Sequence, residues 1–193
     1  MFEKTNLVSK IFYLNLIVFI STLIVPSLIY LLAVHPFSTN DFSIYQFITY
    51  MFVHGGFMHI LFNMFGLLSF GPFCENDLGE KKFLLLYLIS GVFGAFIQLL
   101  FSTVPLVGAS AAIFALLIYY TLRNPNGEVS IIFLPFFTFK AKTLVSFIVL
   151  FEVIATIFNF QDGVGHIAHL GGAFIGLCGF FMNKSYENRK NLR

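Results

Sequence analysis

Residues 83–122 read FLLLYLISGVFGAFIQLLFSTVPLVGASAAIFALLIYYTL and contain no Asp, Glu, Lys or Arg. A helix needs about 20 apolar residues to cross a ~30 Å hydrocarbon core. This stretch is long enough for two crossings, broken at Ser102–Gly108 around Pro105. The rest of the chain repeats the pattern, since residues 11–40, 42–74 and 163–183 are also free of those four residue types. Charged residues make up 10% of the 193 residues, against roughly 25% in an ordinary soluble domain. A water-soluble globular protein is therefore excluded. The net charge of +2 is small, and no basic stripe points to nucleic acid. Cys74 and Cys178 sit in separate apolar runs and suggest neither a disulfide framework nor a zinc site.

Hydropathy and helix breakers predict an all-α membrane protein with six spans, at about 11–34, 57–74, 83–101, 109–122, 143–159 and 165–183. Residues 184–193 read as a polar tail, and residues 129–139 as an apolar interfacial segment too short to cross. The first run exceeds a signal-peptide core and lacks a small-x-small cleavage site, so it reads as a retained anchor. All eleven Lys and Arg fall in four places: Lys4 and Lys10; Lys81 and Lys82; Arg123, Lys140 and Lys142; and Lys184, Arg189, Lys190 and Arg193. With six spans these lie on one side, which the positive-inside rule makes cytoplasmic, together with both termini. A bacterial plasma membrane is the expected location.

Polar groups inside a bilayer are costly, so their depth is informative. Ser110 precedes Arg123 by 13 residues, placing it roughly 20 Å above the inner interface. His169 precedes Lys184 by 15 residues, giving about 22 Å. His59 and Asn63 precede Glu75 by 16 and 12, giving about 24 and 18 Å. Four polar side chains from three helices thus share one layer in the outer half. A serine and a histidine at one depth are the minimum for acyl transfer. His59 and Asn63 share a helix face and can donate to an oxyanion. Ser110 opens its helix, where backbone N–H groups are free. Ala109, Ala111, Ala112 and Ala115 on one span, and Ala168, Gly172 and Gly176 on another, form the small-residue pattern of close helix contact.

Tyr50-Met-Phe-Val-His54, His59-Ile-Leu-Phe-Asn63, Gly108-Ala-Ser110 and Ala168-His-Leu-Gly-Gly172 with Gly176 together resemble the rhomboid family of intramembrane serine proteases. The resemblance runs from about Tyr45 to Gly179. It implies a six-helix bundle in which Ser110 is nucleophile and His169 base. His59, Asn63 and the Ser110 N–H would line the oxyanion hole, and His54 would shape the outer loop. Transmembrane protein substrates and the bilayer are the implied partners, with no metal or cofactor. The sequence departs from the family in three places. Glu75-Asn76-Asp77 replaces a common Glu-x-Arg, the Trp-Arg of the first outer loop is absent, and Phe114 stands where some relatives have Tyr.

Other roles compete. His166 is a rival base, three residues before His169. Glu152 reads as protonated or hydrogen-bonded between helices, with a minor alternative as a third member orienting His169. His35 reads as a solvated loop residue. Gly172 and Gly176 read as packing residues. A cavity open to the outside, capped by residues 159–165, is expected. The competing classes are a proteolytically inactive rhomboid-like binder of membrane clients, a haem or metal protein using His59 and His169, and a transporter.

Overall fold

The computed structural model describes residues 6–131 and 134–191; Lys4 and Arg193 of the charge argument lie outside them. The chain is mostly helical. Helix α1 (Asn6–Ile24) stops where Pro26 withholds an N–H and crowds the preceding turn, and α2 (Ser27–Leu32) resumes beyond it. The single first span expected from the sequence is therefore two helices. After a short α3 (Gln46–Thr49) and a 3₁₀ turn (Tyr50–Phe52) come α4 (Phe57–Leu78) and α5 (Glu80–Phe101). Gly79, at φ +76°, makes the tight link between them. Then follow α6 (Ser110–Arg123), α7 (Ala141–Ile157) and α8 (His166–Asn191). Helix α8 continues through most of the expected polar tail. Among the described residues, α1, α4 and α5 are long and apolar enough to cross a membrane, and α6 is a shorter apolar helix.

The all-α expectation holds only in part. Within the segment predicted to lie at an interface, β1 (Glu128–Ile131) pairs antiparallel with β2 (Leu134–Lys140), so the fold is not purely helical. A continuous apolar run does not distinguish strand from helix.

Helix α6 lies in the centre, against α4, α5, α7 and above all α8, which also packs closely on α5. Small residues make this possible. A Cβ on Gly172 would run into the backbone of Ala111, one on Gly176 into that of Ala115, and one on Gly94 would lie 2.7 Å from the Ala168 carbonyl oxygen. Backbones in contact at these points fix α5, α6 and α8 relative to one another.

The polar ends are also tied. Glu75 is buried and accepts the Leu7 and Val8 N–H groups at 2.9 and 3.0 Å, closing the first turn of α1. The altered Glu75-Asn76-Asp77 motif still supplies an ion pair, since Asp77 meets Arg123 at 2.8 Å and Arg123 meets Glu187 at 3.0 Å. His35 corrects another expectation. It is buried rather than solvated, with its Nε2 2.8 Å from the Tyr30 carbonyl oxygen.

Candidate functional site

Two paired segments set the position of Ser110. Val34 and Leu106 exchange backbone hydrogen bonds, and the Gly108 N–H donates to the Tyr50 carbonyl at 2.9 Å. Gly108 takes φ +114°, and a Cβ there would stand 2.5 Å from His59 Nε2. Glycine thus serves both the turn and the approach of the imidazole. Ser110 is the first residue of α6, so its N–H has no acceptor within the helix.

His169 lies one turn into α8. The Ala168 N–H donates to Gln98 Oε1 at 3.1 Å, so an α5 side chain steadies that turn. The structure brings the two residues together, with His169 Nε2 2.7 Å from Ser110 Oγ. Phe114 stacks on the His169 ring at 4.3 Å between centroids and 10° between planes, holding the imidazole flat without a hydroxyl. The rival His166 does not face the serine. Its Nδ1 is 2.6 Å from Glu152 Oε2, and its Nε2 is 3.2 Å from each oxygen of Asp162.

His59 sits beside this pair, against Gly108, and its Nδ1 takes a long hydrogen bond of 3.4 Å from the Gly55 N–H. Asn63 is buried, and one of its amide hydrogens goes to the His59 carbonyl at 2.8 Å. His54 packs edge-on to His59 at 5.0 Å and is 1% exposed. Burial pushes the His54 imidazole down to about 3, with nearby His59 adding to the effect. In the loop between α7 and α8, the Asp162 carboxyl is held below the usual range, chiefly by the hydrogen bond from the Val164 N–H.

A cavity of 440 Å³ opens between the 101–106 and 159–167 segments, lined by Gln98 and His166. Its lining includes His166 and residues of the expected cap, but neither Ser110 nor His169. Glu152, His166 and His169 offer ligand atoms within 4.8 Å of one another, and this is the place where the described residues could hold a metal ion. Sequence reasoning gave Gln98 no role and Glu152 a minor one. A polar residue inside an apolar helix was the available signal for both.

The Rhomboid domain family matches residues 41–185 of this chain. The chain belongs to the rhomboid family. It is 34% identical over 129 residues to the mitochondrial presenilin-associated rhomboid-like proteins of Bos taurus and Homo sapiens, covering 64% of this chain and 34% of each relative. It is 32% identical over 146 residues to the rhomboid protease GluP of Bacillus subtilis, covering 72% of this chain and 26% of that protein. The matched region thus spans about a third or less of these relatives. This rhomboid chain is a membrane protein. The mammalian relatives' names print a mitochondrial location, so the expected bacterial plasma membrane is not supported, and a membrane is as far as the location goes.

Proposed function

We propose that this rhomboid chain is an intramembrane serine endopeptidase that cleaves peptide bonds in or beside transmembrane segments of membrane proteins. The observation that carries the reading is the 2.7 Å contact between Ser110 Oγ and His169 Nε2 at the head of a buried helix. Ser110 Oγ attacks the scissile carbonyl while its proton passes to His169 Nε2. The same proton then goes to the departing amine, and water, activated by the imidazole, releases the acyl group from Ser110. The Ser110 N–H, the free amide hydrogen of Asn63 and His59 Nε2–H serve the oxyanion. The Gly55 contact on His59 Nδ1 favours the tautomer with its proton on Nε2. None of these steps requires a metal or cofactor.

The topology that goes with this reading has six spans, α1 with α2 forming the first, and both termini on the cytoplasmic side. Ser110 and His169 then lie in the outer half of the bilayer, and transmembrane protein substrates reach them from the lipid. An extended backbone at the cleaved bond favours segments rich in Gly, Ala or Pro near their outer ends.

The test is a labelled fluorophosphonate or isocoumarin on the purified protein. Wild type should label, and Ser110→Ala and His169→Ala should not. Equal labelling of Ser110→Ala discards the nucleophile. No labelling of a folded wild type favours a proteolytically inactive binder of membrane clients.

A further inference from the structure

We propose that Glu152 is a positioning residue for His169, held in place by His166, so that a relay of side chains leads from Asp162 in the outer loop to Ser110. The proposal rests on the protease reading and adds a third group to its pair.

The argument starts from the proton count on His169. For Nε2 to accept the serine proton, a neutral imidazole must carry its own proton on Nδ1. A buried N–H needs an acceptor. Glu152 Oε1 is the acceptor at hand, 3.1 Å from Nδ1. The N–H is turned off that line, and Nδ1 has no aligned hydrogen-bond partner. Such contacts tighten when substrate binds. Stacking on Phe114 permits this, because a ring 10° from parallel can rotate within its own plane without losing the stack.

Glu152 is itself fixed. It is 6% exposed on α7, and its other oxygen is 2.6 Å from His166 Nδ1. His166 is held in turn by Asp162, 3.2 Å from its Nε2. Each member except the serine therefore has a neighbour on both sides or anchors in the outer loop. His166, expected as the rival base, becomes the support of the carboxylate. In the reaction Glu152 takes no proton. When Ser110 gives its proton to Nε2, the Nδ1 proton stays on the imidazolium, facing the carboxylate.

The experiment uses the full chain in liposomes with a fluorogenic transmembrane peptide. Loss of the orienting carboxylate in a serine triad costs up to ~10⁴ in kcat. The longer, off-line contact here scales the expectation for Glu152→Gln to a fall of about 30- to 300-fold in kcat. KM should stay within about threefold and the thermal midpoint should hold, with part of kcat recovered in Glu152→Asp. A Glu152→Gln enzyme within about threefold of wild type in kcat, or one impaired in KM alone, overturns the relay. A second measurement needs no variant. Nitrogen-15 resonances of His169 in wild type should show a protonated Nδ1 and a bare Nε2, and the opposite tautomer overturns the proposal. Absence of Ser110-dependent labelling in wild type is a failure of the protease reading alone. The tautomer then still decides the relay.

Discussion

Replacing Gly172 by Ala sets two physical effects against each other. By helix propensity alone, Ala stabilises a helix interior by about 1 kcal/mol relative to Gly. Packing says the reverse. A Cβ at Gly172 would lie 2.6 Å from the Ala111 carbonyl carbon and 3.0 Å from its Cα. Non-bonded carbons rest about 3.5–4.0 Å apart, so α6 and α8 must separate by roughly 1 Å at this crossing. Ser110 adjoins Ala111, and His169 is one turn before Gly172. The same displacement therefore stretches the 2.7 Å Oγ to Nε2 contact to about 3.7 Å, beyond hydrogen-bond range. A misplacement of 1 Å costs on the order of 10²-fold in rate. Overpacking costs about 1–3 kcal/mol, which outweighs the propensity gain. The assay is peptide cleavage in liposomes beside thermal unfolding. Gly179→Ala is the control, because a Cβ there meets the movable end of the Leu86 side chain at 2.8 Å. Gly172→Ala should lose about 100-fold in kcat with a lower midpoint, and Gly179→Ala should lose little. A Gly172→Ala protein that is both stabilised and fully active would refute the reasoning.

Glu75→Ala removes two charge-assisted bonds from the first turn of α1, at 2.9 and 3.0 Å. It should cost about 2 kcal/mol and speed amide exchange at Leu7 and Val8, read by thermal unfolding and hydrogen exchange. Unchanged exchange there would mean that α1 is held by packing alone. His54 supplies an acid limb to stability. Its folded pKa is about 3, while an unfolded imidazole titrates near ~6.5. The unfolded chain therefore binds the extra proton first. The stabilisation is complete above pH ~6.5 and falls as the pH drops toward ~3. His54→Gln should flatten the midpoint-versus-pH curve across that window, and a curve of unaltered slope would place its origin elsewhere.

The meeting of Ser110 and His169 was legible because a helix rises by a fixed amount per residue and the basic residues mark a common floor. Small residues on both helices were legible for the same kind of reason, since four-residue spacing names a face. Glu152 was legible as a polar residue in an apolar helix, but its place beside His169 was not. Counting from Lys142 puts it about 15 Å up, shallower than His169. Residue counting ignores helix tilt and the reach of a long side chain. It also gives no rotation for α7, and rotation decides whether Glu152 meets lipid or His166. The β1–β2 hairpin escaped because the apolar content of residues 129–139 does not by itself distinguish strand from helix. Gln98 stood out as a polar residue in an apolar helix, but its partner is a backbone N–H, which no side-chain pattern announces.

The helices around the site divide its control unequally. Gly94, Ala111, Ala168 and Gly172 put backbone against backbone, so what holds α5, α6 and α8 together also fixes the distance between Ser110 and His169. Stability and chemistry cannot be altered separately along that seam. Helix α7 packs more lightly on α6 and α8, and it reaches the pair through Glu152. A substitution on its inner face can therefore change how the imidazole is aimed without loosening the bundle. On the protease reading, that asymmetry leaves α7 as the helix whose side chains can be changed while the seam keeps its geometry.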